Sequence, residues 1–279
     1  MTYRSYSQIS SYLNCPKAYQ LGRVVRATEK PAWFLVAGTA IHSCLEVIAR
    51  EPEEDFDLEK VWDGAFAVAI HEAVEKSGVP EEAWRTGGRT SKDKPNGEDK
   101  SFWVTDGLRQ VELFNTWFKD RLAEGWSVAQ YGTTPAVELA LNFSLGEVPV
   151  KGYADLMMNT PSGETIIIDH KTGSRLPDSS RQLALYALAL RKMGNNIDGV
   201  LGAYFMTRKG ELSAPYQFLE EDFLSLQDTF EMVDLGIKAE IFPAKPSSMC
   251  KACGLAEYCA AVNGSLAKDF DPIYTNGGK

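Results

Sequence analysis

Three histidines and five cysteines are all that 279 residues supply of these two metal-binding side chains. The chain has no uninterrupted apolar run of the ~18 residues that a membrane-spanning helix needs. Its first ten residues, "MTYRSYSQIS", lack the apolar core of a secretory signal. There is no internal repeat and no low-complexity tract. An odd cysteine count without an export signal argues against a disulfide framework. These absences lead us to expect an intracellular protein, in the cytoplasm of a bacterium or a phage-infected host cell, with no membrane partner.

An excess of basic charge is missing too. Lys and Arg number 29 against 38 acids, for a net charge of −9. Residues 51–82 hold eleven acids and two bases, which accounts for the whole imbalance. Residues 1–50 hold six bases and two acids. This excludes a nucleic-acid coat protein but leaves room for a local basic groove. Hydrophobic residues at 44% and charged residues at 24% are ordinary for a globular protein that buries a sizeable core.

The pattern along the chain divides near residue 135. Upstream, "SYSQISSYLNCPKAYQLGRV" begins with capping serines and shows helical spacing at Ile9, Tyr12 and Leu13. "AGTAIHSCLEVIAR" reads as a short helix with Ile41, Leu45 and Ile48 on one side, and 57–77 and 102–124 as longer amphipathic helices. Between the last two, residues 84–100 carry Gly, Lys and Asp without periodicity and read as a mobile loop. Residues 85–100 hold five bases and three acids beside Phe102 and Trp103, so either a solvated loop or a contact for unpaired bases fits. Downstream, "AVELALNFSL", "VPVKGYADLMM" and "ETIIIDHK" are three strand-like runs split by turn signals. "SRQLALYALALRKMG" is a helix ending at Gly194. "GVLGAYFMT" and "SAPYQFL" are further strands, followed by a helix over 220–240. The expected fold is α/β, a mixed sheet flanked by helices. Its parts are a helical 1–134, a core of 135–240 and a cysteine-bearing 241–279, integrated as one domain.

The run "IIIDHKTG" carries the first chemistry. Side chains alternate along a strand, so Asp169 and Lys171 share the face of Ile167, and His170 shares the opposite face with Ile166 and Ile168. A structural ion pair is one reading of Asp169 and Lys171. The preceding strand offers another: alternation aligns Lys151, Tyr153, Asp155 and Met157, and a hairpin brings Asp155 beside Asp169. Two carboxylates held close repel unless a cation lies between them, and oxygen ligands select Mg²⁺ or Mn²⁺. Gly152 in mid-strand marks a close approach.

Asp155, followed at fourteen residues by "DHK", resembles the motif of the PD-(D/E)XK nuclease superfamily. "GTAIHSCLE" is similar to the upstream helix of its RecB-like branch, and "RQLALYALAL" to the downstream one. The resemblance implies a restriction-endonuclease-like core and a Mg²⁺- or Mn²⁺-dependent deoxyribonuclease. It implies that His42, Asp155 and Asp169 are metal ligands, with Glu46 and Glu138 as further candidates. It makes Lys171 the residue that acts on water and phosphate, and Gln182 and Tyr186 residues that touch DNA or order the site. His170 departs from the aromatic residue this branch more often carries, and by alternation it faces away from the metal. His71, in the acidic helix, is expected to face solvent, and Cys44 to pack as an apolar residue.

Cys250, Cys253 and Cys259 form "CKACGLAEYC", three thiols in ten residues that need a fourth ligand. The natural fourth ligand is distant, Cys15 in "YLNCPKAYQ". Four thiolates suit either zinc or a [4Fe–4S] cluster, and spacing alone does not choose. The resemblance does: iron–sulfur exonucleases of the RecB-like branch, CRISPR-associated ones included, carry one early and three late cysteines. It further implies single-stranded DNA ends as substrate, an exonuclease mode, helicase or recombination-protein partners, and a setting in recombination, repair or CRISPR adaptation. A non-catalytic DNA-end-binding subunit and a zinc-bound scaffold are the alternatives.

Overall fold

The computed structural model describes residues 3–92 and 94–275. Asp93 of the expected loop and residues 276–279 of the cysteine-bearing segment lie outside the described residues, as do Met1 and Thr2. Helix α1 (Tyr6–Asn14) is capped by Ser5, whose hydroxyl accepts from the Gln8 N–H. It buries Ile9 and Tyr12, whereas Leu13 is exposed. Cys15 precedes a proline, takes an extended conformation and ends the helix. The chain restarts with Pro16 at the first position of α2 (Pro16–Tyr19) and passes through a π-helical turn, Gln20–Val24.

Helix α3 (Trp33–Arg50) is not short: it begins four residues before the expected run. Trp33, which opens it, packs on Trp84 with ring centroids 4.6 Å apart and planes tilted by 47°. By length and composition α3 would pass for a membrane span, with a mean hydropathy of 1.2. Its Ile41, Leu45 and Ile48 face are buried against the other helices and the sheet. Helices α4 (Leu58–Ser77) and α5 (Lys100–Ala123) start where Asp57 and Asp99 accept from backbone N–H groups of their first turns. His71 is exposed, as expected.

The segment between α4 and α5 is tied down rather than free. The Glu98 N–H donates to the Gly87 carbonyl at 2.8 Å. The nearly buried Glu98 carboxylate accepts both arms of Arg208 at 2.9 Å. Arg208 in turn lies over the Trp103 ring at 4.8 Å. Trp103 is buried and cannot stack on a base. The anchoring partner lies 110 residues away, where local periodicity carries no signal of it.

Strands β1 (Ser127–Val128), β2 (Gln130–Tyr131), β3 (Thr134–Pro135), β4 (Val137–Leu145), β5 (Val148–Asn159) and β6 (Thr165–Lys171) precede helix α6 (Arg181–Lys192). Then come β7 (Val200–Met206), β8 (Glu211–Leu212) and α7 (Glu220–Lys238). The sheet order is β1-β5-β6-β7-β8, with β4 also paired to β5. β6 and β7 are parallel and joined through α6, and every other pair is antiparallel. "SAPYQFL" is not a regular strand. Only Tyr216 bridges to Gly202, and Pro215 has no N–H to continue a ladder. One face of the sheet packs on α1, α6 and α7, and the other on α3, α4 and α5. The mixed sheet flanked by helices matches the expectation.

Candidate metal-dependent active site

The site forms where β5 and β6 part. Their ladder runs from Asn159↔Thr165 to Leu156↔Ile168 and stops one residue short of Asp155 and Asp169. The Asp155 carboxylate takes over there, accepting from the His170 N–H at 2.7 Å. Across β4 the pairs Val137↔Leu156 and Leu139↔Ala154 leave Glu138 and Asp155 unpaired between them. Glu138 has φ +47, a left-handed conformation that costs a residue with a Cβ of order 1–3 kcal/mol. The strands change face at this point. Val150, Ala154 and Leu139 pack toward α6, as does Met157, whereas Val137, Leu156 and Met158 pack toward α3. Simple alternation therefore fails on β5. Asp155 does not continue a face shared by Lys151, Tyr153 and Met157; it sits at the turnover.

On β6 alternation holds. Asp169, 1% exposed, pairs with Lys171 Nζ at 2.6 Å. The same Nζ donates to Gln182 Oε1 at 2.8 Å, and Gln182 Nε2 donates to Tyr186 Oη at 2.8 Å. Gln182 and Tyr186 stand one turn apart on α6, so one helix face presents both. The Tyr186 ring covers Gly152, where a Cβ would lie 3.5 Å from it. That is an ordinary contact, so the close backbone approach expected at Gly152 is not there.

His42 comes from α3. Its Nδ1 lies 3.6 Å from Asp155 Oδ2. Burial lowers its pKa, while Asp169 and Glu138 pull it back up. With 33% of the side chain still exposed, water tempers the burial. The carboxylates are crowded. Burial, then Asp169, raises Asp155 well above the carboxylate range. Burial, then Asp155, raises Glu138 to about 7. Burial together with Asp169 and Asp155 keeps the Tyr186 phenol protonated. Carboxylates pushed this far up are short of a cation, and oxygen donors beside an imidazole suit a divalent one. Glu46 faces the same cleft, but its carboxylate pairs with Arg50 at 2.9 Å instead of His42. Glu138 is the better-placed of the two added candidates.

His170 is closer to this group than alternation implied. Its ring faces Phe114 and Phe205, with centroids 5.1 and 6.1 Å away. Even so, Nδ1 is 3.9 Å from Asp155 Oδ2. The ligand atoms of His42, Asp155 and His170 all lie within 4.8 Å of one another. The cleft above them, about 470 Å³, is lined by Phe34, Gly38, His42, Glu46, Glu138 and Thr172. The sequence reading missed three participants. Tyr204, in register with Asp169 on β7, lies under Lys171 Nζ at 5.4 Å from its ring centre. Thr172 faces Gly38, where a Cβ would come within 3.1 Å of its hydroxyl. Arg208 Nε donates to the Thr172 carbonyl at 3.0 Å. A glycine one helical turn before His42 was the available signal.

Cys15, Cys253 and Cys259 lie near one another at the other end of the N-terminal segment. Cys253 and Cys259 pack with Ala18 around a small core of Leu21, Ala27 and Leu255. Burial raises the Cys259 thiol, and Asp271 and Cys15 add to the rise, so Cys15 is its neighbour. Cys250 Sγ accepts from the Ser247 N–H at 3.3 Å. Cys44 stands apart, wholly buried, its thiol pushed up to about 12 by burial alone.

Comparison with known proteins gives the family. The chain is 33% identical over 263 residues to the Gene 69 protein of Mycobacterium phage D29, covering 92% of this chain and 96% of that one. It is 28% identical over 287 residues to the Gene 69 protein of Mycobacterium phage L5, covering 92% and 95%. A family model of the PD-(D/E)XK nuclease superfamily matches residues 3–260, nearly every element described above. The fold is accordingly restriction-endonuclease-like, and the chain belongs to the PD-(D/E)XK nuclease superfamily.

Proposed function

We propose that the protein is a Mg²⁺- or Mn²⁺-dependent deoxyribonuclease that trims single-stranded DNA from an end. One observation carries the reading: Asp155, Asp169, Lys171, Gln182, Tyr186 and His42, from four separate elements, gather in one cluster, and His42 lines an open cleft beside it. His42, Asp155 and Asp169 would hold the metal, with Glu138 beside them. When bound, the ion supplies Lewis-acid polarisation of the phosphate and of the attacking water. Lys171 has three N–H donors; Asp169 and Gln182 take two, and the third is left for a phosphate oxygen. Tyr186 accepts from Gln182, so its own proton is free to donate into the site.

DNA binding is supported by a groove of about 870 Å³ that shares Leu35 and Thr39 with the cleft and is lined by Arg23, Arg26 and Lys76, with Glu29 and Glu72 beside them. Basic side chains along a groove suit a phosphate chain. A [4Fe–4S] cluster on Cys15, Cys250, Cys253 and Cys259 completes the reading. Cys15 neighbours Cys259, and Cys253 and Cys259 pack against one small core, which supports a shared thiolate centre. The cytoplasm is the setting, with helicase or recombination partners at the DNA end.

End-labelled single- and double-stranded DNA, with Mg²⁺, Mn²⁺ or EDTA, tests the activity. Metal-dependent loss of nucleotides from single-stranded ends is expected. Asp169→Ala should abolish both metal binding and cleavage. Lys171→Ala should bind metal yet cleave about 10²–10⁴-fold more slowly. Full activity in either variant refutes the site, and end binding without cleavage in the wild type leaves a DNA-end-binding subunit.

A further inference from the structure

We infer that His170 is a ligand of the divalent metal, and that this second imidazole moves the site's preference from Mg²⁺ toward Mn²⁺. The inference rests on the metal-dependent reading above and deepens it.

The pocket of His170 does not explain a histidine. The residue is 3% exposed, between Phe114 and Phe205, and its Nε2 is buried with no hydrogen-bond partner. A buried polar group without a partner costs about 1–3 kcal/mol. A phenyl ring would fill the same space without that cost. Nor is the side chain needed to hold Asp155, because the bond that holds it comes from the His170 backbone N–H, which any residue but proline supplies. What remains is the other nitrogen. Nδ1 lies 3.9 Å from Asp155 Oδ2, and His42 Nδ1 lies 3.6 Å from that same oxygen.

These separations fit shared coordination. Two donors bonded at about 2.1 Å are about 3.0 Å apart in cis and about 4.2 Å in trans. Both measured separations fall inside that span. Mg²⁺ favours oxygen ligands and parts reluctantly with water, whereas imidazole suits the first-row transition ions. A site with two imidazoles therefore gains more for Mn²⁺ than for Mg²⁺.

The test reads coordination, not cleavage. Metal-depleted full-length protein is titrated with Mn²⁺ under electron paramagnetic resonance, with Mg²⁺ as competitor, and nitrogen couplings to bound Mn²⁺ are counted by pulsed methods. Two imidazole couplings are expected in the wild type. His170→Phe, which keeps the pocket filled, should lose one coupling and weaken Mn²⁺ binding about 10–100-fold, with Mg²⁺ binding nearly unchanged. A single coupling in the wild type overturns the inference, and that measurement does not depend on the variant folding. Equal Mn²⁺ affinity in wild type and a folded His170→Phe overturns it too. The nuclease reading fails separately, if wild-type protein with two couplings leaves DNA intact under every metal.

Discussion

Lys171 is the residue whose neighbourhood decides most. Its ammonium is held by Asp169 and Gln182 and lies over the Tyr204 ring. Gln182 touches neither phosphate nor water in this reading; it positions the lysine, and Tyr186 positions Gln182. Gln182→Ala leaves the Asp169 pair intact but frees the ammonium to swing. A misplacement of about 1 Å costs on the order of 10²-fold in rate. We expect kcat on single-stranded DNA to fall by about that factor with KM little changed. A matching rise in KM would make Gln182 a DNA contact instead. Much of this was legible in the sequence, because period-two alternation correctly put Asp169 and Lys171 on one face of β6. On β5 the same rule failed. Glu138 adopts a left-handed backbone that a strand pattern does not reveal, and Asp155 turns with it. His170 leaves β6 on the face that alternation gives, against Phe114 and Phe205, yet its Nδ1 is 3.9 Å from Asp155. Alternation gives the face on which a ring leaves the sheet, not the distance between its nitrogen and a carboxylate on the diverging strand.

Among the elements, α3 matters most to the site, since it carries His42 and is held by α4 and α5. Their packing is tight at Gly107 of α5. A Cβ there would run into the Trp62 ring. Two effects oppose each other in Gly107→Ala. A helical glycine replaced by alanine gains about 1 kcal/mol from propensity. Overpacking a core costs about 1–3 kcal/mol, occasionally more. Trp62 cannot step aside. It is buried, stacked on Phe66 at 4.8 Å, and its Nε1–H donates to the Val104 carbonyl at 3.1 Å. Overpacking should therefore win by about 1–2 kcal/mol, read as a lowered urea midpoint. A raised midpoint would mean the helices separate freely. The helices were legible because caps and apolar spacing are local. The segment from Arg85 to Asp99 was not, because glycine turns and the Glu98–Arg208 pair fix it from a distance.

At the scale of the whole molecule the open question is how the N-terminal segment is fastened to the C-terminal one. Cys15 lies at the extended joint between α1 and α2, and the residues after it meet the tail directly. The Lys17 N–H donates to the Pro243 carbonyl and the Lys30 N–H to the Gly254 carbonyl, each at 3.3 Å. Lys17 Nζ pairs with Asp271 at 3.1 Å. Bringing such distant segments together is entropically costly, and the proposed four-thiolate centre would offset that cost by coupling metal binding to folding. Cys15→Ser should therefore yield colourless protein with little iron or sulfide, melting lower by about 5 °C or more. Cys44→Ser should keep its colour. What then remains of the clamp is Asp271. Burial would raise its pKa, but N–H bonds from Ala260 and Ile273 and the Lys17 ammonium outweigh burial and hold it below the ordinary value of 3.8. A depressed carboxyl contributes stability above its unfolded pKa and loses it as pH falls through the folded one. The melting temperature of Cys15→Ser should accordingly hold steady from neutral pH down to about 4 and drop steeply below it. Asp271→Asn in the same background should remove part of that acid step. Full iron and sulfide in Cys15→Ser would refute the shared centre, and stoichiometric zinc without sulfide in the wild type would replace the cluster with a zinc clamp.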